Sequence, residues 1–560
     1  MKRNKTSYIL ALLISCFAGS ACQDTLMEDP ASYYQKKTFF TDKSKAQMAV
    51  VGTYNSLATL YGYMEMYFPS SDDTYFVSGT NNDNKQRDIS HYKLNASNQT
   101  VDEAWKATYQ GLNRANYAID GIEGMTDYKT DTDLQAIAAE ARFLRALFSF
   151  NLVRYWGDVP YKATYTDSYE DAYQPRTNRE AIYNQIVNDL NFAKAHLKWA
   201  DATSSPEKAT QGSARALLMR VLLQRAGYSL QANGETTRPD DNLRKTYFTE
   251  VVNEWKEFVA NGYHNFHTTG YAELFKGFSA GTRNSQESLF EVAFYSPDGK
   301  TGAKGYWGTY NGPLVVAPGI KSSETGHYMG RANAQFRAIP EWKGFFEEKD
   351  ARRDIMICTY KYDWDKTKYS HVKVENKSVK DWYPGKWRRE WMPIGFKDPN
   401  VTDVNYSFLR YADVVLMAAE AYNELDNTPE AWNLLNKVRE RAGATQITAT
   451  NYTQLMKAPQ VLDLSFIADG DDAGKFRTAL YWERGMELAF EGQRKFDLIR
   501  WGILQEALQL FGTKSAVNTP TVTAYAAGQN FRKGKHELLP IPTDEMQLNY
   551  LLDNKNNPNY

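Results

Sequence analysis

The chain has very little cysteine, with three residues in a sequence of 560. Cys16 and Cys22 lie close to the N-terminus, and Cys358 stands alone in the rest of the chain. Cys16 is expected to leave with a signal peptide and Cys22 to be lipidated. No disulfide framework is therefore expected within one mature chain. Stability must come from buried apolar surface, and the hydrophobic share of 42% is that of a globular protein.

Net charge is also small. The formal charge is −1 at pH 7, so no overall field favours nucleic acid or an anionic membrane. The N-terminal apolar run Tyr8–Phe17 is too short to span a bilayer. Aromatic residues, by contrast, are plentiful: the chain has 38 tyrosines and 13 tryptophans. These residues combine an apolar face with a polar edge, so they serve binding surfaces as well as cores.

The N-terminus predicts a lipoprotein signal peptide over residues 1–21. A basic stretch beginning at Lys2 precedes the apolar run, and the small residues Gly19–Ala21 precede Cys22. This arrangement resembles a bacterial lipobox, in which the signal is cut before the cysteine and its thiol is acylated. An ordinary signal peptide with a chance cysteine is the alternative. Residues 22–40 are expected to form a tether, and its acidic start resembles the surface-export signal of Bacteroidetes lipoproteins.

The clearest structural pattern is the helical hairpin over residues 410–443. Apolar residues recur at helical spacing in both halves, and Asp426–Pro429 interrupts them. Thr428 is placed to cap the second helix, and Gly443 to end it. The pattern puts Asp413 and Glu420 on the polar face. Two amphipathic helices on so short a loop must pack antiparallel, in the manner of a tetratricopeptide repeat, and one hairpin needs others stacked on it.

Other stretches at helical spacing predict a mainly α fold with little β structure. We expect an N-terminal helical region over residues 41–280 and a C-terminal region over residues 281–560. Residues 61–99 lack helical spacing, and residues 299–330 form a glycine-rich loop. Irregular segments of this length are usually functional or disordered.

Several separate motifs resemble those of the SusD/RagB family of outer-membrane glycan-capture lipoproteins. They are Glu140–Ala146, Trp156–Pro160, Arg410–Asp413, Ala418–Ala421, Asn436–Gly443, Glu483–Leu488, Glu491–Gly502 and Leu539–Pro542. Together they run in order through nearly the whole mature chain. One departure is Gly485, which stands where the family more often carries a charged or polar residue.

The resemblance implies tetratricopeptide-like helix pairs that support a loop-rich ligand face. It also implies a location on the cell surface, anchored to the outer membrane by the lipid on Cys22. The implied partner is a SusC-like TonB-dependent barrel that imports a captured oligosaccharide or polysaccharide. No cofactor, metal or nucleic acid is expected.

The two irregular segments correspond to the family's usual ligand loops, and both contain residues suited to a sugar. Aromatic rings cover the C–H faces of a sugar ring, and polar side chains pair with its hydroxyl groups. The predicted ligand-binding residues are Asp73, Tyr75, Asn82, Arg87, Tyr306, Trp307 and Tyr310. The alternative is that these aromatic residues only pin long loops to the scaffold.

Two other functions remain open at this point. The same scaffold could capture peptide or glycopeptide, because aromatic loops hold these too. The third hypothesis is a surface glycoside hydrolase. Such an enzyme needs two carboxylates that converge on the substrate, whereas adjacent carboxylates such as Asp72 and Asp73 point apart in an extended loop. Gly277–Gly281 matches G-x-S-x-G without the required strand before the serine. We therefore expect a binding protein and not an enzyme.

Overall fold

The computed structural model describes residues 36–62, 64–297, 300–317, 329–393, 400–456 and 470–560. The predicted signal peptide, Cys22 and the start of the tether lie outside these residues, as do parts of the loop 299–330. About 49% of the described residues are helical, and the strands among them are short, so the prediction of a mainly α fold is confirmed. Among the described residues, no helix combines the length and apolar character needed to cross a membrane.

The helices within the described residues are numbered in chain order. The first nine are α1 (Lys36–Phe39), α2 (Lys43–Tyr61), α3 (Gln86–Ser90), α4 (Gln99–Glu123), α5 (Thr132–Trp156), α6 (Arg179–His196), α7 (Gln211–Ala226), α8 (Asp241–Asn261) and α9 (Tyr271–Ala280). The others are α10 (Arg353–Met356), α11 (Tyr411–Glu424), α12 (Thr428–Arg441), α13 (Tyr452–Leu455), α14 (Asp472–Leu488), α15 (Arg494–Arg500), α16 (Leu504–Phe511), α17 (Ala527–Asn530) and α18 (Thr543–Leu548).

The strands form two-stranded antiparallel sheets. The pairs are β1 (Tyr75–Val77) with β7 (Phe336–Ala338), β2 (Val159–Pro160) with β3 (Arg176–Thr177), β4 (Ser229–Leu230) with β5 (Thr236–Thr237), β6 (Ser288–Val292) with β12 (Tyr406–Arg410), β8 (Ile357–Cys358) with β11 (Tyr383–Pro384), and β9 (Tyr360–Asp365) with β10 (Ser370–Glu375).

The long helices pack on one another in sequence order. Helix α4 contacts α5, α5 contacts α6, α6 contacts α7 and α7 contacts α8. Helix α8 then contacts α11, which packs against α12 and α14. Each helix buries its apolar stripe on a neighbour, as stacked helical hairpins must.

The predicted hairpin at residues 410–443 forms, with two differences. Asn427, and not Thr428, caps α12 by accepting from the Glu430 amide. Asp413 and Glu420 are buried instead of facing solvent. They are buried because arginines from other elements reach them: Arg220 and Arg484 for Asp413, and Arg500 for Glu420.

A buried ion network surrounds Arg410 at the end of β12. Its guanidinium lies 3.0 Å from Glu287, 2.9 Å from Glu487 and 2.7 Å from Glu491. Arg441 pairs with Glu287 at 2.9 Å and also with Glu487. Burial alone would raise the pKa of Glu487, but the surrounding arginines, led by Arg441, outweigh it and lower the pKa to about 2. The network therefore joins the residue before β6 to β12, α12 and α14 through buried ion pairs.

Gly485, which departs from the family pattern, is explained by packing. It lies in α14 against the indole of Trp342, and a Cβ at this position would stand 2.6 Å from Trp342 Cζ3. Trp342 is fully buried, so its ring has no room to move away.

We expect Gly485→Ala to lower the free energy of unfolding by about 1–3 kcal/mol, because overpacking outweighs the gain in helix propensity. Gly52→Ala in α2 is the matched control, since nothing lies within 4 Å of its added Cβ. That control should raise stability by up to about 1 kcal/mol. Urea denaturation of both variants measures the difference, and equal stabilisation by the two would contradict this account of Gly485.

Candidate functional site

The two loops predicted to bind ligand meet in the folded protein. Strand β1 from the first loop pairs with β7, with Val77 opposite Phe336. The pairing continues past the strand, where the Ser78 amide donates to the Gln335 carbonyl at 2.8 Å. The Phe336 amide in turn donates to the Tyr310 carbonyl at 3.4 Å. We call the surface formed by residues 78–87, 306–316 and 331–337 the junction.

Asp73 lies inside the protein and not on the junction surface, so its predicted place on an open ligand face is wrong. Its carboxylate accepts two hydrogen bonds from Arg494, at 2.8 and 2.7 Å, and one from the Tyr481 hydroxyl at 2.5 Å. The side chain is fully buried. Asp73 therefore fastens the first loop to α14 and α15.

Tyr75 and Trp307 are also buried, with 3% and 2% exposure, so their predicted place on an open face is wrong as well. Tyr75 packs edge-on against Phe490 at 5.3 Å. Trp307 stacks on Tyr406 at 4.3 Å, and its indole N–H donates to the Tyr61 carbonyl at 3.1 Å. Both rings pin their loops to the scaffold, which is the alternative that the sequence left open. Truncating Trp307 would thus remove core packing worth about 3–5 kcal/mol.

Asn82 and Arg87 lie on the junction surface. Asn82 is exposed and Arg87 is half-buried. The guanidinium of Arg87 donates to the carbonyls of Ser78 at 3.1 Å and Asn81 at 3.0 Å. These bonds hold the turn that follows β1, in which Gly79 adopts a φ of 92°. Arg87 thus shapes the turn that presents Asn82, and a direct role for either residue in binding stays a prediction.

Tyr306 and Tyr310 provide the aromatic part of the junction. The two rings stack at 4.7 Å with an interplanar angle of 22°, and both are half-buried. The turn between them is fixed by Asn311, whose side chain accepts from the Gly308 amide at 2.8 Å. Gly308 has a φ of 81°, a conformation that favours glycine. The pair therefore has a fixed orientation before any ligand arrives.

The hairpin of β9 and β10 adds aromatic residues that the sequence reasoning missed. It joins the junction because the Val316 amide donates to the Tyr362 carbonyl at 2.9 Å. Trp364 contacts Tyr369 and His371 at 5.3 and 5.0 Å, and Tyr369 is 42% exposed. Aromatic residues at 360, 362 and 364 alternate with polar ones, a period of two that is typical of a strand with one aromatic face.

The hydroxyl groups of this hairpin are held as neutral donors. Both Tyr360 and Tyr362 donate to the carboxylate of Glu390. Burial, together with the nearby charge of Glu390, raises the pKa of both phenols well above the usual value. Both phenols therefore stay protonated as they donate to Glu390.

The described residues give no support to a hydrolytic centre at Gly277–Gly281. Ser279 is buried near the end of α9, and β6 follows it, whereas a nucleophile elbow requires a strand before the serine. Within the described ranges, no group of three or more His, Cys, Asp or Glu side chains is placed to hold a metal ion.

Comparison with known proteins places this architecture in a family. A model described as the SusD family matches residues 341–560, and one described as starch-binding, associating with the outer membrane, matches residues 28–223. The chain belongs to the SusD/RagB family. The family membership predicted from the sequence motifs is therefore confirmed.

Relatives of this SusD/RagB chain match over most of their length. SusD-like protein P25 of Formosa agariphila is 26% identical over 99% of this chain and 98% of its own. The starch-binding protein SusD of Bacteroides thetaiotaomicron is 23% identical over 78% and 75%.

Solved structures agree with this fold. A SusD homolog from Bacteroides thetaiotaomicron has a TM-score of 0.76 at 27% identity, covering 94% of this chain and 98% of that one. Surface glycan-binding protein A from the same species, in complex with laminarihexaose, has a TM-score of 0.63 at 19% identity, covering 90% and 97%. At that identity the second likeness concerns the fold alone.

The buried acid beside Asp73 makes stability depend on pH. Burial and then the charge of Asp73 raise the pKa of Asp72 from 3.8 to about 7. Between these values the folded state holds a proton that the unfolded chain releases, so the contribution of Asp72 to stability falls as pH rises from about 4 to about 7. We expect the wild type to lose stability relative to Asp72→Asn across this window.

Urea denaturation at a series of pH values measures this difference. Asp544→Asn is the control, because that carboxylate is 61% exposed and its difference from the wild type should stay small. A constant difference between wild type and Asp72→Asn from pH 4 to pH 8 would contradict the prediction.

Proposed function

We propose that this SusD/RagB chain is a cell-surface lipoprotein that captures an oligosaccharide or polysaccharide and passes it to a SusC-like TonB-dependent transporter. The observation that carries the proposal is the junction, where a stacked tyrosine pair lies within one hydrogen-bonded surface with exposed amide side chains. Relatives support the ligand class: one is named a starch-binding protein, and a structural neighbour was solved with laminarihexaose.

The chemistry of the junction suits a neutral sugar. The half-exposed rings of Tyr306 and Tyr310 offer an apolar face that a pyranose ring can cover. Asn82 follows β1 and Asn333 precedes β7, both are exposed, and both can exchange hydrogen bonds with hydroxyl groups. The fixed turns at Gly79 and Gly308 reduce the entropy lost on binding.

The proposal contains no catalytic step. Asp73, the carboxylate that a hydrolase reading would use, is bound to Arg494 and Tyr481 inside the protein. Incubation with a polysaccharide that binds should release no new reducing ends, and release of such ends would revive the hydrolase reading.

We expect Tyr310→Ala to weaken saccharide binding about two- to tenfold, because one stacking ring contributes about 0.5–1.5 kcal/mol. Isothermal titration with a panel of oligosaccharides, including maltohexaose and laminarihexaose, measures the loss. Tyr550→Ala is the matched control, since that tyrosine is 74% exposed and lies outside the junction.

If Tyr310→Ala and the wild type bind every sugar with equal affinity, the proposal that the junction is the binding site is contradicted. A peptide panel runs in parallel. Binding of peptides with no binding of any saccharide would favour the peptide-capturing alternative.

The anchor and the partner are tested together. With the tagged chain in its native host, we expect wild type in the outer-membrane fraction together with a TonB-dependent barrel. We expect Cys22→Ser to leave that fraction, because it lacks the thiol to be acylated. Cys358→Ser is the control, because it removes the other cysteine that remains after signal cleavage and leaves Cys22 in place. Retention of Cys22→Ser in the membrane would contradict lipid anchoring, and the absence of a barrel would contradict the proposed partner.

A further inference from the structure

A cavity of about 630 Å³ opens between helices α7, α8, α11, α14 and the segment that follows α15. Its volume lies in the range of small-molecule sites, which is about 300–1,000 Å³. The seven predicted ligand-binding residues are all described, and none of them lines this cavity. The cavity is therefore separate from the junction.

Two aromatic side chains form part of the cavity wall, and both are held in place. The indole N–H of Trp501 donates to Glu420 at 2.9 Å. Tyr228 is anchored by its amide, which donates to the Arg500 carbonyl at 2.8 Å, and its ring packs on Gly502. Both residues are half-buried, so part of each faces the open space. Rings fixed in this way can cover the apolar face of a ligand without losing side-chain entropy.

The polar part of the wall is almost neutral. Five cationic and four anionic side chains line the cavity, which leaves a net charge of +1. Most of them are paired: Arg244 lies 3.1 Å from Asp241 and 3.5 Å from Glu424, and Arg477 lies 2.6 Å from Glu424. A phosphate or nucleotide would gain little here, because it needs an excess of positive charge. A neutral ligand rich in hydroxyl groups can use donors and acceptors of both signs.

We infer that this cavity is a second saccharide-binding site, which takes a short neutral oligosaccharide or one end of a longer chain. The inference rests on the proposed function for the class of ligand, but not on the junction as the site. A polysaccharide held at both places would be retained more strongly than at either alone, because its second attachment is intramolecular.

The cavity can be blocked without removing a described side-chain contact. Asn242 lines it from the exposed first turn of α8, so Asn242→Trp places an indole at its mouth. Thr249→Trp is the control, because Thr249 is exposed on the same helix, does not line the cavity, and loses only the hydrogen bond from its hydroxyl to the Lys245 carbonyl. Both changes are made in the full-length chain, alone and combined with Tyr306→Ala and Tyr310→Ala.

Ligand-detected NMR and isothermal titration with the same oligosaccharide panel at millimolar concentration provide the test. In the tyrosine double variant, we expect residual binding that falls at least tenfold with Asn242→Trp and is unchanged with Thr249→Trp. Circular dichroism and the melting temperature establish that each variant is folded.

The outcomes separate the two proposals. Loss of all saccharide binding in the tyrosine double variant alone would overturn the second site and leave the junction standing. Equal binding by Asn242→Trp and Thr249→Trp would overturn it too. Loss of all binding with Asn242→Trp alone, together with full binding by the tyrosine variant, would support the cavity and remove the junction. No saccharide binding by wild type would overturn both.

Discussion

The guanidinium of Arg410 is fully enclosed and holds three carboxylates, from Glu287, Glu487 and Glu491. Taking these charges out of water is expensive, and only their close mutual geometry offsets the cost. Removing any one partner would leave a buried charge uncompensated, at about 3–5 kcal/mol. The sequence motifs that contain Arg410, Glu487 and Glu491 are therefore structural. The ion pairs around Arg410 join β12, two helices and the residue before β6, which are far apart in the chain, and the helical scaffold depends on these ion pairs.

A second buried pair extends this rigidity to the junction, the proposed ligand face. Arg494 of α15 holds Asp73 of the first irregular loop, while Trp307 anchors the second loop on Tyr406. Because both loops are fixed to the scaffold, β1 of the first loop can pair with β7. The residues most firmly held are thus the ones hidden from ligand, and those presented at the surface, such as Tyr310 and Asn82, are oriented by them. Preorganisation of this kind reduces the entropy lost when a flexible sugar binds.

The helical scaffold could be predicted because its signals are local. The hairpin at residues 410–443 followed from apolar spacing and its interrupting turn. Burial of the loop residues could not be predicted in this way, because it depends on distant partners: Asp73 and Arg494 are 421 positions apart. A glycine-rich setting indicated an exposed Trp307, but its ring is buried against Tyr406, a distant residue of β12. The hairpin of β9 and β10 was missed although its alternating aromatic residues were visible in the sequence.

We expect the junction, held above a stacked helical scaffold, to bind a saccharide with little change in its backbone. Hydrogen exchange with and without the tightest-binding oligosaccharide of the panel tests most directly whether the sugar binds at the junction. The account predicts slower exchange in residues 78–87 and 306–316 when the sugar is bound, with the amides around Arg410 unchanged. Unaltered exchange in both of these segments under saturating sugar would contradict it.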